Sequence, residues 1–105
     1  MSQTVYAIRL KGDGESRYIG LTTIPVACRL GNHLSGSPLS DFHAWLRSNA
    51  DDVEAVVLGR CEGRANGLAL EKAKIKEALA LGYRLFNRHH VPGAHVRLPR
   101  VKAAA

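Results

Sequence analysis

Of six polar side chains spread over most of this chain, five are of the types that do chemistry on phosphate esters. An arginine can hold a phosphate through two hydrogen bonds. A carboxylate suits a hard divalent cation such as Mg²⁺, and phenols and imidazoles can transfer a proton. In chain order, the six are Tyr6, Tyr18, Arg29, His33, Glu71 and Asn87.

The two tyrosines lie in apolar runs that predict a β-hairpin. The runs Val5-Tyr6-Ala7-Ile8 and Arg17-Tyr18-Ile19-Gly20 are separated by Lys11-Gly12-Asp13-Gly14-Glu15, and Asp-Gly between β-rich runs is a hairpin signal. We expect strands over 4–11 and 16–22, with Tyr6 roughly opposite Tyr18. The two phenols would then share one face of a sheet. A tyrosine on a strand is more often a core residue than a catalyst, so this pair alone decides nothing.

The arginine and the histidine lie on the helix predicted next. Pro25, after Thr22-Thr23-Ile24, is typical of a helix start, with a threonine as the cap. The helix should then run over 26–34, which places Arg29 and His33, four residues apart, on one face. A surface pair and a phosphate-binding pair both fit this spacing.

Glu71 lies on the longest predicted helix, over 63–81, which Gly82 should end. Leu68, Ile75, Leu79 and Gly82 fall on one stripe of that helix, and Glu71 borders it. A carboxylate facing a core is costly without compensation. A bound cation, a buried ion pair and a water-filled sheet edge remain open as the compensation. Asn87, after this helix, is of a type that commonly hydrogen-bonds a turn.

The other segments complete the order β-β-α-α-β-α. Gly36-Ser37-Pro38 should start a helix over 38–49, with Ser37 as N-cap and Pro38 at the first position. Leu39, Phe42 and Leu46 should face the core, with Trp45 near them. Val53 to Leu58 reads as a third strand. We therefore expect an α/β sandwich, a small, mostly antiparallel three-stranded sheet flanked by three helices.

The composition indicates one domain without a membrane span. The chain has 105 residues, about the size of one domain, which we place at 1–90 with a basic, loosely ordered tail at 91–105. We expect no signal peptide. Cys28 and Cys61 are expected to be buried free thiols, which favours a reducing cytoplasm.

The charge favours a polyanionic partner. The formal net charge is +6, and no acidic residue follows Glu77. A solubilising tail and a phosphate-backbone contact surface are equally compatible with this pattern. The candidate contact residues are Arg84, Arg88, Arg97, Arg100 and Lys102.

As an ordered set, these residues resemble the GIY-YIG nuclease family over roughly residues 4 to 88. The YIG triplet is literal, Tyr18-Ile19-Gly20, whereas the GIY triplet is degenerate, Thr4-Val5-Tyr6. Thr4 replaces the first glycine of the motif. Leu21 follows YIG, where some members carry lysine.

The resemblance implies a metal-dependent endonuclease that hydrolyses phosphodiester bonds in DNA. Glu71 would be the metal ligand, for Mg²⁺ or Mn²⁺, and Arg29 would stabilise negative charge. Tyr6, Tyr18 or His33 would be the base, and Asn87 would match the family's late asparagine. A homodimer or a targeting partner protein would be compatible with so short a chain. The alternatives are a non-catalytic nucleic-acid-binding module on the same scaffold and a basic adaptor for an acidic protein.

Overall fold

The computed structural model describes residues 1–35 and 40–87. It is an α/β fold with a small three-stranded antiparallel sheet and three helices, in the predicted order β-β-α-α-β-α. The elements are β1 (Ser2–Leu10), β2 (Tyr18–Thr22), α1 (Val26–Leu34), α2 (Asp41–Ser48), β3 (Val53–Glu62) and α3 (Arg64–Ala80).

The sheet has β1 at its centre, in the order β2-β1-β3. Successive side chains of a strand point to opposite faces, and both faces of β1 are covered. Val5 and Ala7 pack toward α3 with Ile75, whereas Tyr6 and Ile8 pack with residues of α2. The small domain is therefore built from two hydrophobic clusters, one on each face of the sheet.

The two tyrosines share a face, as predicted, but they do not lie opposite each other. Tyr6 pairs with Gly20, and Tyr18 pairs with Ile8. The turn is the reason, because residues 11–17 form a loop rather than a tight hairpin. Asp13 N–H bonds Leu10 O at 3.1 Å inside the loop. The resulting offset of two residues leaves Tyr6 facing a residue without a side chain.

A bulge interrupts the other pairing of β1 beside Tyr6. Val5 pairs with Gly59 on β3, whereas the next residue, Tyr6, pairs with Val57. One residue of β3, Leu58, is therefore extra at this point. Bulges bend a strand and change the direction of the adjoining side chains, so this one helps to set how Tyr6 leaves the sheet.

The segment after α3 packs beside the free edge of β2. Phe86 N–H donates to Arg17 O at 2.7 Å, and Arg17 Nε donates to Arg84 O at 2.9 Å. The Arg17 guanidinium lies 4.9 Å from the Phe86 ring centroid and 5.2 Å from that of Trp45. Because Arg17 directly precedes β2, these contacts hold the segment beside an edge that would otherwise be open to another strand.

Several predicted boundaries are wrong. Helix α2 begins at Asp41, later than predicted, with Ser40 as its N-cap accepting from His43 N–H. The predicted cap Ser37 and first helical residue Pro38 lie outside the described residues. Strand β3 continues to Glu62 instead of ending at Leu58, because it pairs along all of β1. The core prediction for Leu39 lies outside the described residues. Those for Phe42 and Leu46 are confirmed, and Trp45 packs against them.

The start of α1 also differs from its prediction. The helix begins at Val26 as expected, but Pro25 occupies the N-cap position, and no side chain of the described chain caps it. Thr22 Oγ1 instead accepts from Ile24 N–H at 3.1 Å within the loop. Cys28 and Cys61 are free, as expected, but Cys28 is exposed and Cys61 only half-buried.

Helix α3 buries a different stripe from the predicted one. The buried residues are Gly67, Glu71, Ile75 and Ala78, whereas Leu68 is 40% exposed. Gly67 allows this rotation because a Cβ there would lie 3.0 Å from the Gln3 Cβ. The helix therefore packs most closely where it has no side chain, and Glu71 lies within the buried stripe rather than at its border.

Gly82 ends α3 as predicted. It adopts φ +84°, Gly82 N–H bonds Leu79 O, and Tyr83 N–H bonds Ala78 O, both at 3.0 Å. This pair of bonds is the Schellman motif, which favours glycine at the left-handed position. None of the described helices is both long and apolar enough to cross a membrane.

Shortening a buried side chain of α3 should test how this helix packs against the sheet. Ile75 is fully buried, so Ile75→Ala should lower the free energy of unfolding by about 2–5 kcal/mol through lost burial and a residual cavity. Urea denaturation measures this loss. The adjacent exposed position provides the control, because Lys76→Ala should change stability by less than about 0.5 kcal/mol. Equal losses in the two variants would contradict the assigned helix face.

Candidate functional site

The Tyr6 hydroxyl is the centre of the candidate site. His33 Nε2 lies 2.8 Å from Tyr6 Oη, and Arg29 Nε donates to the same oxygen at 3.4 Å. Arg29 and His33 are one turn apart on α1, so the predicted shared face is the one turned toward the sheet. The surface-pair interpretation of these two residues is therefore wrong.

Tyr18 joins this cluster through ring contacts. Its ring centroid lies 6.3 Å from that of Tyr6 and 5.2 Å from that of His33. On its other side Tyr18 stacks on Phe42 of α2, at 4.5 Å between centroids and 14° between planes. Stacking of this kind fixes the ring orientation. The two phenols and the imidazole are thus held by packing from three elements.

Gly20, the last residue of the YIG triplet, makes room for Tyr6. A Cβ built on Gly20 would lie 2.5 Å from Tyr6 Oη and 2.9 Å from Tyr18 Cε2. Contacts this short are repulsive, so any side chain at this position would displace the hydroxyl. The glycine is required here for close approach rather than for an unusual backbone conformation.

Glu71 comes within electrostatic reach of both phenols. The residue is only 3% exposed. Its negative charge contributes to raising the pKa of Tyr6 and that of Tyr18. The charge of Glu71 thus reaches both phenols from the helix that packs on the Val5 and Ala7 face of the sheet.

The phenols keep their protons at neutral pH. Burial raises the pKa of Tyr6 to about 12, and the hydrogen bond from Arg29 only partly offsets it. Burial also raises the pKa of Tyr18. Arg29 lowers the pKa of both phenols, but desolvation is the larger effect.

His33 is neutral at physiological pH. Burial lowers its pKa to about 4, and the charges of Arg29 and His43 act in the same direction. Because Arg29 already donates to Tyr6 Oη, the phenolic hydrogen is free to be donated to Nε2 of the neutral imidazole. In that arrangement the Nδ1 atom of His33 carries the ring proton.

Asn87 holds the strand that carries Tyr18. Its Oδ1 accepts from Ile19 N–H at 2.9 Å, and its Nδ2 donates to Ile19 O at 2.6 Å. The residue is 2% exposed, and both ends of its amide are bonded to Ile19. Asn87 is therefore a positioning residue, fixing the backbone between Tyr18 and Gly20, and not a group directed at a ligand.

The donor set fits a cation held through few protein ligands. Within the described part of the chain, no three His, Cys, Asp or Glu side chains gather into a metal-binding group. Mg²⁺ commonly binds one or two carboxylates and keeps several waters. Glu71 meets that requirement, and it is the carboxylate whose charge reaches the tyrosine cluster.

A cleft beside Arg29 contains two residues that the sequence analysis missed. It has a volume of about 260 Å³, and Gln3 and Arg64 line it together with Arg29. Gln3 Oε1 is buried, and among the described residues it has no hydrogen-bond partner. The alternation of side chains along a strand could have identified Gln3, because it lies two residues before Val5 and so faces the same side of the sheet as Val5 and Ala7. No local pattern singles out Arg64.

Of the predicted nucleic-acid contacts, Arg84 can be located, and it is already engaged. Its guanidinium Nη2 lies 3.0 Å from Glu15 Oε1, and its Nε donates to Oε2 at 3.2 Å. The remaining predicted contacts lie outside the described residues, namely Arg88, Arg97, Arg100 and Lys102.

Comparisons with known proteins give no relatives. No family model matches the chain, and no match was found among curated proteins or solved structures. The functional argument therefore depends on the geometry of the site and on the sequence pattern.

Filling the space above Gly20 should disrupt the cluster. Gly20→Ala places a methyl group against Tyr6 Oη, so we expect a loss of about 1–3 kcal/mol in the free energy of unfolding. Gly31→Ala on α1 is the matched control, because its new Cβ would meet nothing within 4 Å and alanine favours helix. Thermal denaturation of both variants measures the difference. Equal stability of the Gly20 variant and the wild type would contradict the close approach.

The His33 environment makes stability pH-dependent. The unfolded imidazole titrates near its usual pKa of 6.5 and the folded one at about 4, so the unfolded chain binds more protons between these values. Stability should therefore rise as pH increases from about 4 to about 6.5 and gain nothing further from this group above that range. NMR titration of the His33 ring should give a midpoint near 4, and a midpoint near 6.5 would refute burial of the imidazole. His33→Gln should flatten this part of the stability profile.

Proposed function

We propose that this protein is a metal-dependent DNA endonuclease of the GIY-YIG type. The observation that carries the proposal is the convergence of Arg29 and His33 on the Tyr6 hydroxyl, within reach of the Glu71 charge. These residues come from three separate elements, β1, α1 and α3. Tyr18 and Asn87 support the same cluster.

Glu71 would hold the cation, Mg²⁺ or Mn²⁺. When bound, such an ion neutralises charge on a phosphodiester and stabilises the leaving oxygen. Arg29 has the reach to bind the phosphate beside it and stabilise the negative charge that develops there. Its hydrogen bond to Tyr6 holds the guanidinium in place before substrate arrives, which reduces the ordering cost at the moment of reaction.

His33 is the best candidate for the proton acceptor. It is neutral at pH 7, whereas the raised pKa of each phenol opposes tyrosinate formation. Tyr6 can orient an attacking water, accept its proton and pass its own proton to His33 Nε2, 2.8 Å away. Tyr18 would orient rather than accept, because it contacts His33 through its ring.

DNA is the proposed substrate because the net charge is +6 and phosphate contacts dominate nucleic-acid affinity. Either a second copy of the chain or a targeting protein could supply specificity, in a cytoplasmic setting compatible with free thiols. The competing function is a nucleic-acid-binding module without catalysis, which predicts tight binding and no cutting.

Replacing the buried carboxylate should separate cutting from binding. Glu71→Gln keeps the side-chain volume but removes the charge, so plasmid nicking with Mg²⁺ or Mn²⁺ should fall by about 100-fold or more while DNA affinity stays within a few-fold. Arg29→Ala should lower both. Glu77→Gln, an exposed carboxylate on the same helix, is the control and should cut normally. No nicking by the wild type together with tight DNA binding would favour the non-catalytic module, and normal nicking by Glu71→Gln would remove the metal assignment.

A further inference from the structure

The cleft beside Arg29 combines positive charge from three sources. Arg29 and Arg64 both line it, and Arg64 is also the first residue of α3. In the part of the chain that the structure describes, no side chain caps this helix and its first turn contains no acidic residue. Its terminal N–H groups and the positive end of the helix dipole are thus left for an anion.

Arg64 is available for such a contact. It is exposed, and across the described ranges it takes part in no salt bridge. This distinguishes it from Arg84 and Arg9, which are paired with Glu15 and Glu54. An unpaired arginine at the mouth of a cleft has all its guanidinium donors free for a phosphate.

A buried amide points independently to a ligand. Gln3 is 4% exposed and lines the same cleft, and its Oε1 has no partner among the described residues. Buried polar atoms are nearly always hydrogen-bonded, so an orphaned amide at a cleft indicates a group that arrives from outside. A phosphate only accepts hydrogen bonds, so it would bond this amide through Nε2. A half-turn of the last Gln3 torsion, which exchanges the amide donor and acceptor, would bring Nε2 to the position that Oε1 occupies.

We propose that this cleft binds a backbone phosphate of the DNA strand next to the phosphate that is cut, with Gln3 and Arg64 as its binding residues. The inference rests on the proposed function for its ligand. The size is appropriate, because about 260 Å³ is below the usual range of drug-sized pockets and suits a single charged group better than a base with its sugar. Arg29 would connect the two phosphates, since it lines the cleft and also donates to Tyr6.

A subsite of this kind positions the strand without taking part in the chemistry. Holding the neighbouring phosphate fixes the register of the scissile bond against the Tyr6 cluster, which lowers the entropic barrier to reaction. Loss of the subsite should therefore appear in KM and in DNA affinity, with kcat largely kept. Loss of Glu71 should instead lower kcat and leave KM and DNA affinity largely unchanged.

The test measures binding and cutting separately. Fluorescence anisotropy with a labelled duplex, without divalent metal, should show that Arg64→Ala weakens binding by about tenfold and lowers the slope of log K against log salt by about 0.9, the loss of one phosphate contact. Lys76→Ala is the control, an exposed cation of α3 outside the cleft, and should stay within about twofold. Gln3→Glu should weaken binding through charge repulsion, whereas the uncharged Gln3→Met should weaken it less.

Replacing one phosphate at a time identifies the position on the DNA that the cleft binds. Duplexes in which one phosphate at a time is replaced by an uncharged methylphosphonate should include a position that weakens wild-type binding but not Arg64→Ala binding.

If no position behaves in this way, or if Arg64→Ala binds like Lys76→Ala while the wild type still binds and cuts, the subsite is refuted and the nuclease proposal stands. If Arg64→Ala loses affinity as expected but the wild type cuts no substrate, the subsite stands and the nuclease proposal fails. A wild type that does not bind DNA refutes both.

Discussion

The Tyr6 hydroxyl is the point on which the site depends. It is buried over Gly20, where no side chain competes for the space, and it is bonded to His33 and approached by Arg29. A buried hydroxyl without partners would destabilise the fold, so these bonds stabilise it. They tie α1 to the central strand, and they fix the orientation of the arginine and the imidazole before any ligand is present.

Desolvation sets the chemical character of the cluster. The same burial that raises the pKa of Tyr6 to about 12 lowers that of His33 to about 4, because a low-dielectric environment disfavours the charged form of both groups. The phenol and the imidazole are therefore both neutral over a wide pH range. Passing the phenolic proton to the imidazole would create a buried tyrosinate and a buried imidazolium, and the same desolvation disfavours both charges.

Two further contacts, at the edge of β2 and between α3 and the sheet, help to position the side chains of the site. Asn87 bonds both backbone groups of Ile19 and thereby fixes the residue between Tyr18 and Gly20. Gly67 lets α3 approach the sheet closely beside Gln3, and Glu71, one turn later on the same stripe, is buried. Neither contact involves the Tyr6 hydroxyl, yet both help to decide where the side chains of the candidate site lie.

The sequence by itself determined the element order, the shared face of the two tyrosines, the helical pairing of Arg29 with His33 and the glycine end of α3, because these follow from local periodicity and turn chemistry. Only the tertiary structure decided the offset of two residues in the hairpin and the burial of Glu71. It also decided the cleft of Gln3 and Arg64. These features depend on loop closure and on how closely α3 packs against the sheet, and neither is encoded in the spacing of residues along one element.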